Sequence, residues 1–334
     1  MKTLSHRIAA PISALLYPFA LQAFHASIEL STRAPVPGSA FAIISLCLAF
    51  AAPLIALGCF IRLAAGDGER RATVAAALAV AAPTLFTFMG VVLYMLHYPV
   101  PELAAWLAGW GLLTAVAGLP SPHNKHHDLD PIAKLRSVHG ILAATAVLAF
   151  LGFHLFNHLM GLAGGDTHRA VIKIGRLWYR STIVEPTLVL IMLSIAATGS
   201  ILLWRRLHHP MDRFLALQAA SGIYLLFFVL GHMNSVFIYA RRWLGTESDW
   251  AFATGAPAGL ITDAWNIRLV PHYALGVFFL LIHLAGGLRI VLTAHGLAPK
   301  TGDRVVISGA AFAALTAAAI LPGMCGVRIL PGLE

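Results

Sequence analysis

Long apolar runs constrain this chain more than any other feature. Nine stretches, roughly 8–26, 38–61, 72–97, 102–119, 138–162, 183–204, 214–240, 269–292 and 306–323, are almost free of charge. A helix of about 20 such residues crosses the hydrocarbon core of a bilayer. Within that core every backbone polar group has to be satisfied inside the protein, which favours helices. Charged residues make up 11% of the chain and hydrophobic ones 59%, whereas soluble domains carry about a quarter charged residues. The sequence predicts an all-α, polytopic membrane bundle of about nine spans.

The net charge of +9 does not point to nucleic acid, because the basic residues fall in short loops between apolar runs, where they orient helices. With a cytoplasmic N-terminus the inner segments carry Lys2, Arg7, Arg62, Arg70, Arg71, Lys125, Lys134, Arg136, Arg205, Arg206, Arg213, Arg289, Lys300 and Arg304, fourteen of the 23 Lys and Arg residues. The balance favours that orientation, with the C-terminus outside. Lys2 and Arg7 ahead of Ile8 to Ala20 imitate a signal peptide. No small-x-small cleavage site follows cleanly and the apolar run continues to Phe24, so this segment reads as the first membrane helix. Cys47, Cys59 and Cys325 are scattered, and they form neither a CxxC motif nor a disulfide framework.

The clearest break is the polar, proline-bounded segment Pro120 to Pro131. It divides an N-terminal membrane region of about four helices (1–120) from a five-helix unit (134–304), with 121–133 as linker and 305–334 as a last helix and tail. His123, His126, His127 and Asp128 in the linker match no standard zinc spacing and read as a solvated loop. Trp178, Tyr179, Trp243, Trp250 and Trp265 lie in two longer outer loops, 163–182 and 241–268, and aromatic residues of this kind suit a membrane interface.

Histidines carry the chemistry. His154 and His232 lie deep inside apolar runs, where an ionisable side chain is costly and functional by default. Both helices run outward under the predicted topology. At 1.5 Å per residue His154 is roughly 24 Å, and His232 roughly 27 Å, from the inner boundary. Two imidazoles at matching depth are what a b-type haem needs as axial ligands. Gly152 and Gly231 lie beside them and offer room for a macrocycle. His139 and His283 both fall toward the inner face and form a second candidate pair. His158 reads as a hydrogen-bonding neighbour of His154, and His272 as a partner for a propionate or a quinone. His25 and His97 end two N-terminal helices at equal depth, either as a further haem pair or as polar caps at the interface.

From about 134 to 304 the chain resembles the cytochrome b membrane anchor of succinate:quinone and fumarate:quinone oxidoreductases. The resemblance rests on Arg136-Ser-Val-His-Gly140, on His139 fifteen residues before His154, on His-Leu-Phe-Asn-His, and on Gln218 and Gly222 ahead of His232. Pro271-His-Tyr and His283-Leu-Ala-Gly-Gly287 complete it. It covers about half the chain. It implies an outer haem on His154 and His232, and an inner haem on His283 with a partner on the helix Glu185 to Gly199. That helix has no histidine: Ser194, Ile195 or Ala196 stands where the family places its ligand. The inner haem is therefore incomplete unless His139 supplies the missing ligand. Arg176 and Arg180 are candidates for haem propionates or interface anchors. Glu185 is a candidate for quinone proton transfer, or else an acid at a helix N-terminus.

The resemblance implies a multi-pass subunit of the cell inner membrane. It would carry electrons between a quinone pool and a partner redox subunit, with one haem b and a second as an option. The chain has no flavin, nucleotide or iron–sulfur motif, so catalysis in the strict sense would belong to a complex. The alternative is a haem-poor anchor or assembly subunit.

Overall fold

The computed structural model describes residues 2–66, 69–121 and 132–332, so the histidines of the 120–131 segment lie outside the described residues. Among the described residues the secondary structure is helical, with no strand. Seven helices are long and apolar enough to cross a membrane, or eight if one bent pair counts as a single span.

Helices α1 (Lys2–Arg33) and α2 (Pro35–Ala64) open the chain as two long antiparallel spans. The third apolar run is not one straight span. It breaks into α3 (Arg70–Val80) and α4 (Ala82–Met95), bent by 70°. Pro83 accounts for the break, since its nitrogen has no hydrogen to donate and its ring crowds the carbonyl four residues back. The fourth run forms α5 (Glu102–Gly118), only 17 residues long. The fifth run is a composite span over Ala133–Ala163: α6 (Ala133–Ala146), a π-helical turn (Val147–Leu151), α7 (Gly152–Leu159) and a 3₁₀ turn.

An amphipathic segment, α8 (Gly165–Tyr179), follows, then the spans α9 (Val184–Arg206) and α10 (Arg213–Met233). The span that begins with α10 continues as a π helix over Asn234–Leu244. After the short α11 (Trp250–Ala253), α12 (Leu269–Ala294) and α13 (Pro299–Met324) complete the bundle. Asp212 caps α10 by accepting from the amides of Phe214 and Leu215.

The largest core lies between α1–α5 and the helices α10 and α12, and holds Tyr17, Phe60, Phe86, Trp106, Tyr224 and Phe279. The linker in the sequence therefore marks no gap in the core. Arg268, at the foot of α12, forms an ion pair with Glu102 at the start of α5 and lies over the rings of Phe86 and Trp265. By contrast, α6, α7 and α9 bury little: only Ala146 and Asn157 on α6 and α7, and no residue on α9. They form an outer layer whose remaining surface suits lipid.

Candidate metal centre

His154 and His232 come together. Their ring centroids are 6.0 Å apart with planes at 71°, although one ring stands on α7 and the other on α10. A metal–imidazole bond is about 2.0 Å, and the ligating nitrogen lies about 1.1 Å from its ring centre, so two imidazoles on opposite sides of one metal have centroids about 6.2 Å apart. The observed separation matches that figure. Aromatic rings hold both imidazoles in place: Phe150 stacks on His154 at 4.9 Å, and Phe228 on His232 at 5.9 Å with planes only 10° apart.

A π-helical segment adjoins each of these histidines: Val147–Leu151 before His154, and Asn234–Leu244 after His232. Each π turn accommodates an extra residue and rotates the helix face beyond it, and such turns concentrate at functional sites. Of the two expected glycines, Gly231 is used elsewhere. A Cβ on Gly231 would meet Phe88, so Gly231 packs α10 against α4. Gly152 is exposed and has only the Val147 carbonyl nearby.

His139 and His283 also meet, with centroids 6.4 Å apart and planes at 83°. His139 Nδ1 lies 2.9 Å from Thr198 Oγ1 on α9, and His283 Nδ1 lies 3.0 Å from Ser221 Oγ on α10.

Around His154 the polar network extends outward. His158 packs edge-on to His154 at 4.7 Å and lies 5.4 Å from His168, and His168 lies 4.5 Å from Trp250. Asn157 Nδ2 is 2.8 Å from His168 Nε2, and both residues are almost fully buried. Outside the membrane spans, burial and then the Arg176 guanidinium push the His168 imidazole down to about 4. Phe228 also packs against buried His272 at 4.8 Å.

The remaining candidates sit nearby with protein partners of their own. Arg176 and Arg180 converge on Glu247 at 3.1 and 2.7 Å, and both bond to Ser248. The hydrogen bond from Arg180 holds the Glu247 carboxyl below its ordinary range. Tyr179, on the same helix, packs against Phe150 at 5.3 Å, which puts this cationic end of α8 beside the His154 level. Glu185 pairs with Arg241 at 2.8 Å. His25 Nε2 lies 3.1 Å from the Thr262 carbonyl, while the His97 ring lies 5.5 Å from Trp243. Those two histidines thus have separate interfacial partners, in keeping with capping.

Among the described residues no three His, Cys, Asp or Glu side chains are placed to share a metal ion. A pair of imidazoles leaves most of a metal's coordination sphere to something else, which a macrocycle with nitrogens of its own would supply. The residues present fit that group. No family model, characterised protein or solved structure matches the chain.

Several residues of the site were not singled out by reading the sequence: His168, Asn157, Phe150, Phe228, Thr198 and Ser221. The last two carried a signal, because each is a hydroxyl residue in an apolar run directly followed by glycine, Thr198-Gly199 and Ser221-Gly222.

Proposed function

We propose that this chain is a membrane b-type cytochrome subunit that carries electrons between a quinone pool and a partner redox subunit. The observation that carries this reading is the meeting of His154 and His232, from separate spans, with ring centroids 6.0 Å apart, a separation compatible with two imidazoles on one metal. The resemblance to the cytochrome b anchors of succinate and fumarate:quinone oxidoreductases, which rests in part on the same histidines, points the same way.

In this reading His154 and His232 would hold the haem iron, and that group would supply a one-electron couple. Phe150 and Phe228 fix the ring orientations and keep water away from the imidazoles. Arg176 and Arg180 place two guanidiniums beside that level, suited to carboxylates as planar, multi-donor partners. Glu247 holds them until such carboxylates compete for them. Glu185, paired with Arg241, takes or releases the proton that accompanies quinone turnover. The topology is nine spans with the N-terminus cytoplasmic, in the cell inner membrane.

A reduced-minus-oxidised optical spectrum of the purified protein tests the proposal. A low-spin b-type signal, lost in His154→Ala and in His232→Ala, supports it. A well-folded preparation without haem sinks it and leaves the structural anchor as the better reading.

A further inference from the structure

The inner pair carries more than its separation. The Thr198 hydroxyl donates its one hydrogen to the Ser194 carbonyl at 2.7 Å, so toward His139 Nδ1 it acts as an acceptor. Ser221 is completely buried and donates to the Gln218 carbonyl at 2.9 Å, so it too accepts, from His283 Nδ1. Both rings are therefore held as the tautomer with hydrogen on Nδ1 and a bare lone pair on Nε2. Metal-ligating histidines are held in this way: the distal N–H is donated to the protein, which fixes the ring and raises its basicity.

The surroundings repeat on both sides. A Cβ added to Gly199 would lie 3.2 Å from His139 Cε1, and one added to Gly222 would lie 3.2 Å from His283 Cε1. Each imidazole thus lies against the backbone of a neighbouring helix, pinned by a hydroxyl and admitted by the glycine that follows it. The one further polar contact at an Nε2 is loose. Gln218 Nε2 is 3.4 Å from His283 Nε2, and the buried Gln218 Oε1 has no partner. A buried amide in that state marks a site whose hydrogen bonding is unfinished.

Resting on the reading of the chain as a b-type cytochrome, we infer that His139 and His283 are the axial ligands of a second haem. His139 does what the histidine-free helix α9 cannot, and α9 instead supplies Thr198 to hold His139. The fifteen residues from His139 to His154 set the two sites roughly 22 Å apart along one span. Thr198 and Ser221 are positioning residues, and Gln218 is the group that withdraws when the site fills.

Haem per chain, measured on the purified full-length protein, decides this. Two haems in the wild type, with one lost in each of His139→Ala and His283→Ala and the other in each of His154→Ala and His232→Ala, is the expected pattern. One haem, indifferent to His139 and His283 but lost with His154 or His232, overturns the inner site and keeps the outer. One haem lost only with His139 or His283 does the reverse, and a haem-free wild type removes both.

Thr198→Val keeps both ligands and removes only the acceptor at His139 Nδ1. A weaker donor ligand favours ferrous iron, so one of two midpoint potentials should move upward while the other stays. A Thr198 that served only to pack α9 would shift neither potential, and that result would refute the tautomer assignment.

Discussion

Glu102→Ala should loosen the attachment of the N-terminal helices to the helices that carry the paired histidines. Arg268 keeps only 8% of its side chain accessible and Glu102 23%, so the pair is largely removed from solvent. Removing one partner of a buried pair leaves a charge without compensation, at a cost of about 3–5 kcal/mol. The residual access to Glu102 places the expectation at the lower end, about 3 kcal/mol. That corresponds to roughly 6–12 °C in thermal midpoint for a cooperative unit of this size.

Arg268→Met removes the cation that lies 4.4 Å from the Phe86 ring centre and 4.8 Å from that of Trp265. It therefore costs about 1–2 kcal/mol from cation–π contacts in addition to the ion pair. Combined with Glu102→Ala, it should cost clearly less than the two single losses summed, because neither charge remains. Intrinsic-fluorescence melting of the detergent-solubilised protein reads all of these. Single variants that melt within about 2 °C of wild type, together with an additive double variant, would refute the fastening role of this pair.

Three further outcomes follow from the site. His168 titrates at about 4 in the fold against an ordinary 6.5, because burial and then Arg176 disfavour its cation. The depressed value means that stability from neutral His168 is complete above pH 6.5 and declines toward pH 4, by about 3 kcal/mol in all. Hydrogen-exchange protection in α8, corrected for the intrinsic pH dependence of amide exchange, should therefore fall between pH 6.5 and 4.5, and His168→Gln should abolish that dependence. Gly222→Ala presses a methyl group to 3.2 Å from His283 and should cost about 1–3 kcal/mol and disturb one centre's spectrum, whereas Gly152→Ala should alter neither centre. Glu247→Ala removes a carboxylate that is 64% exposed, so unfolding should change by less than about 1 kcal/mol. The freed guanidiniums should raise the midpoint potential of the outer centre, and a redox titration checks it.

The fold was legible wherever a single physical rule decided it. Length and apolarity located the runs that became α1, α2, α9, α12 and α13, because the bilayer permits little else. The rule failed at the third run, where one apolar stretch holds two helices bent by 70° at Pro83. Hydropathy measures what a segment is dissolved in, and an internal proline leaves that unchanged. For the site, depth along a helix put His154 level with His232 and His139 level with His283, and the structure brings the rings of each pair within 6.0 and 6.4 Å. Direction around a helix was not legible. Gly231 is one residue, about 100° of turn, from His232 on the regular helix α10, so it faces Phe88 rather than the histidines. His168 was hidden for a related reason, since it lies on the amphipathic α8, and only the docking of α8 brings it to Asn157 and His158.

Electron paramagnetic resonance of the oxidised protein is the most direct test of the central claim, because it reads what is bound to the iron. The account predicts low-spin ferric haem with imidazole on both axial positions, strongly anisotropic because the paired rings lie at 71° and 83°. A high-spin signal from haem with one histidine ligand, or the absence of any haem signal from folded protein, would contradict it.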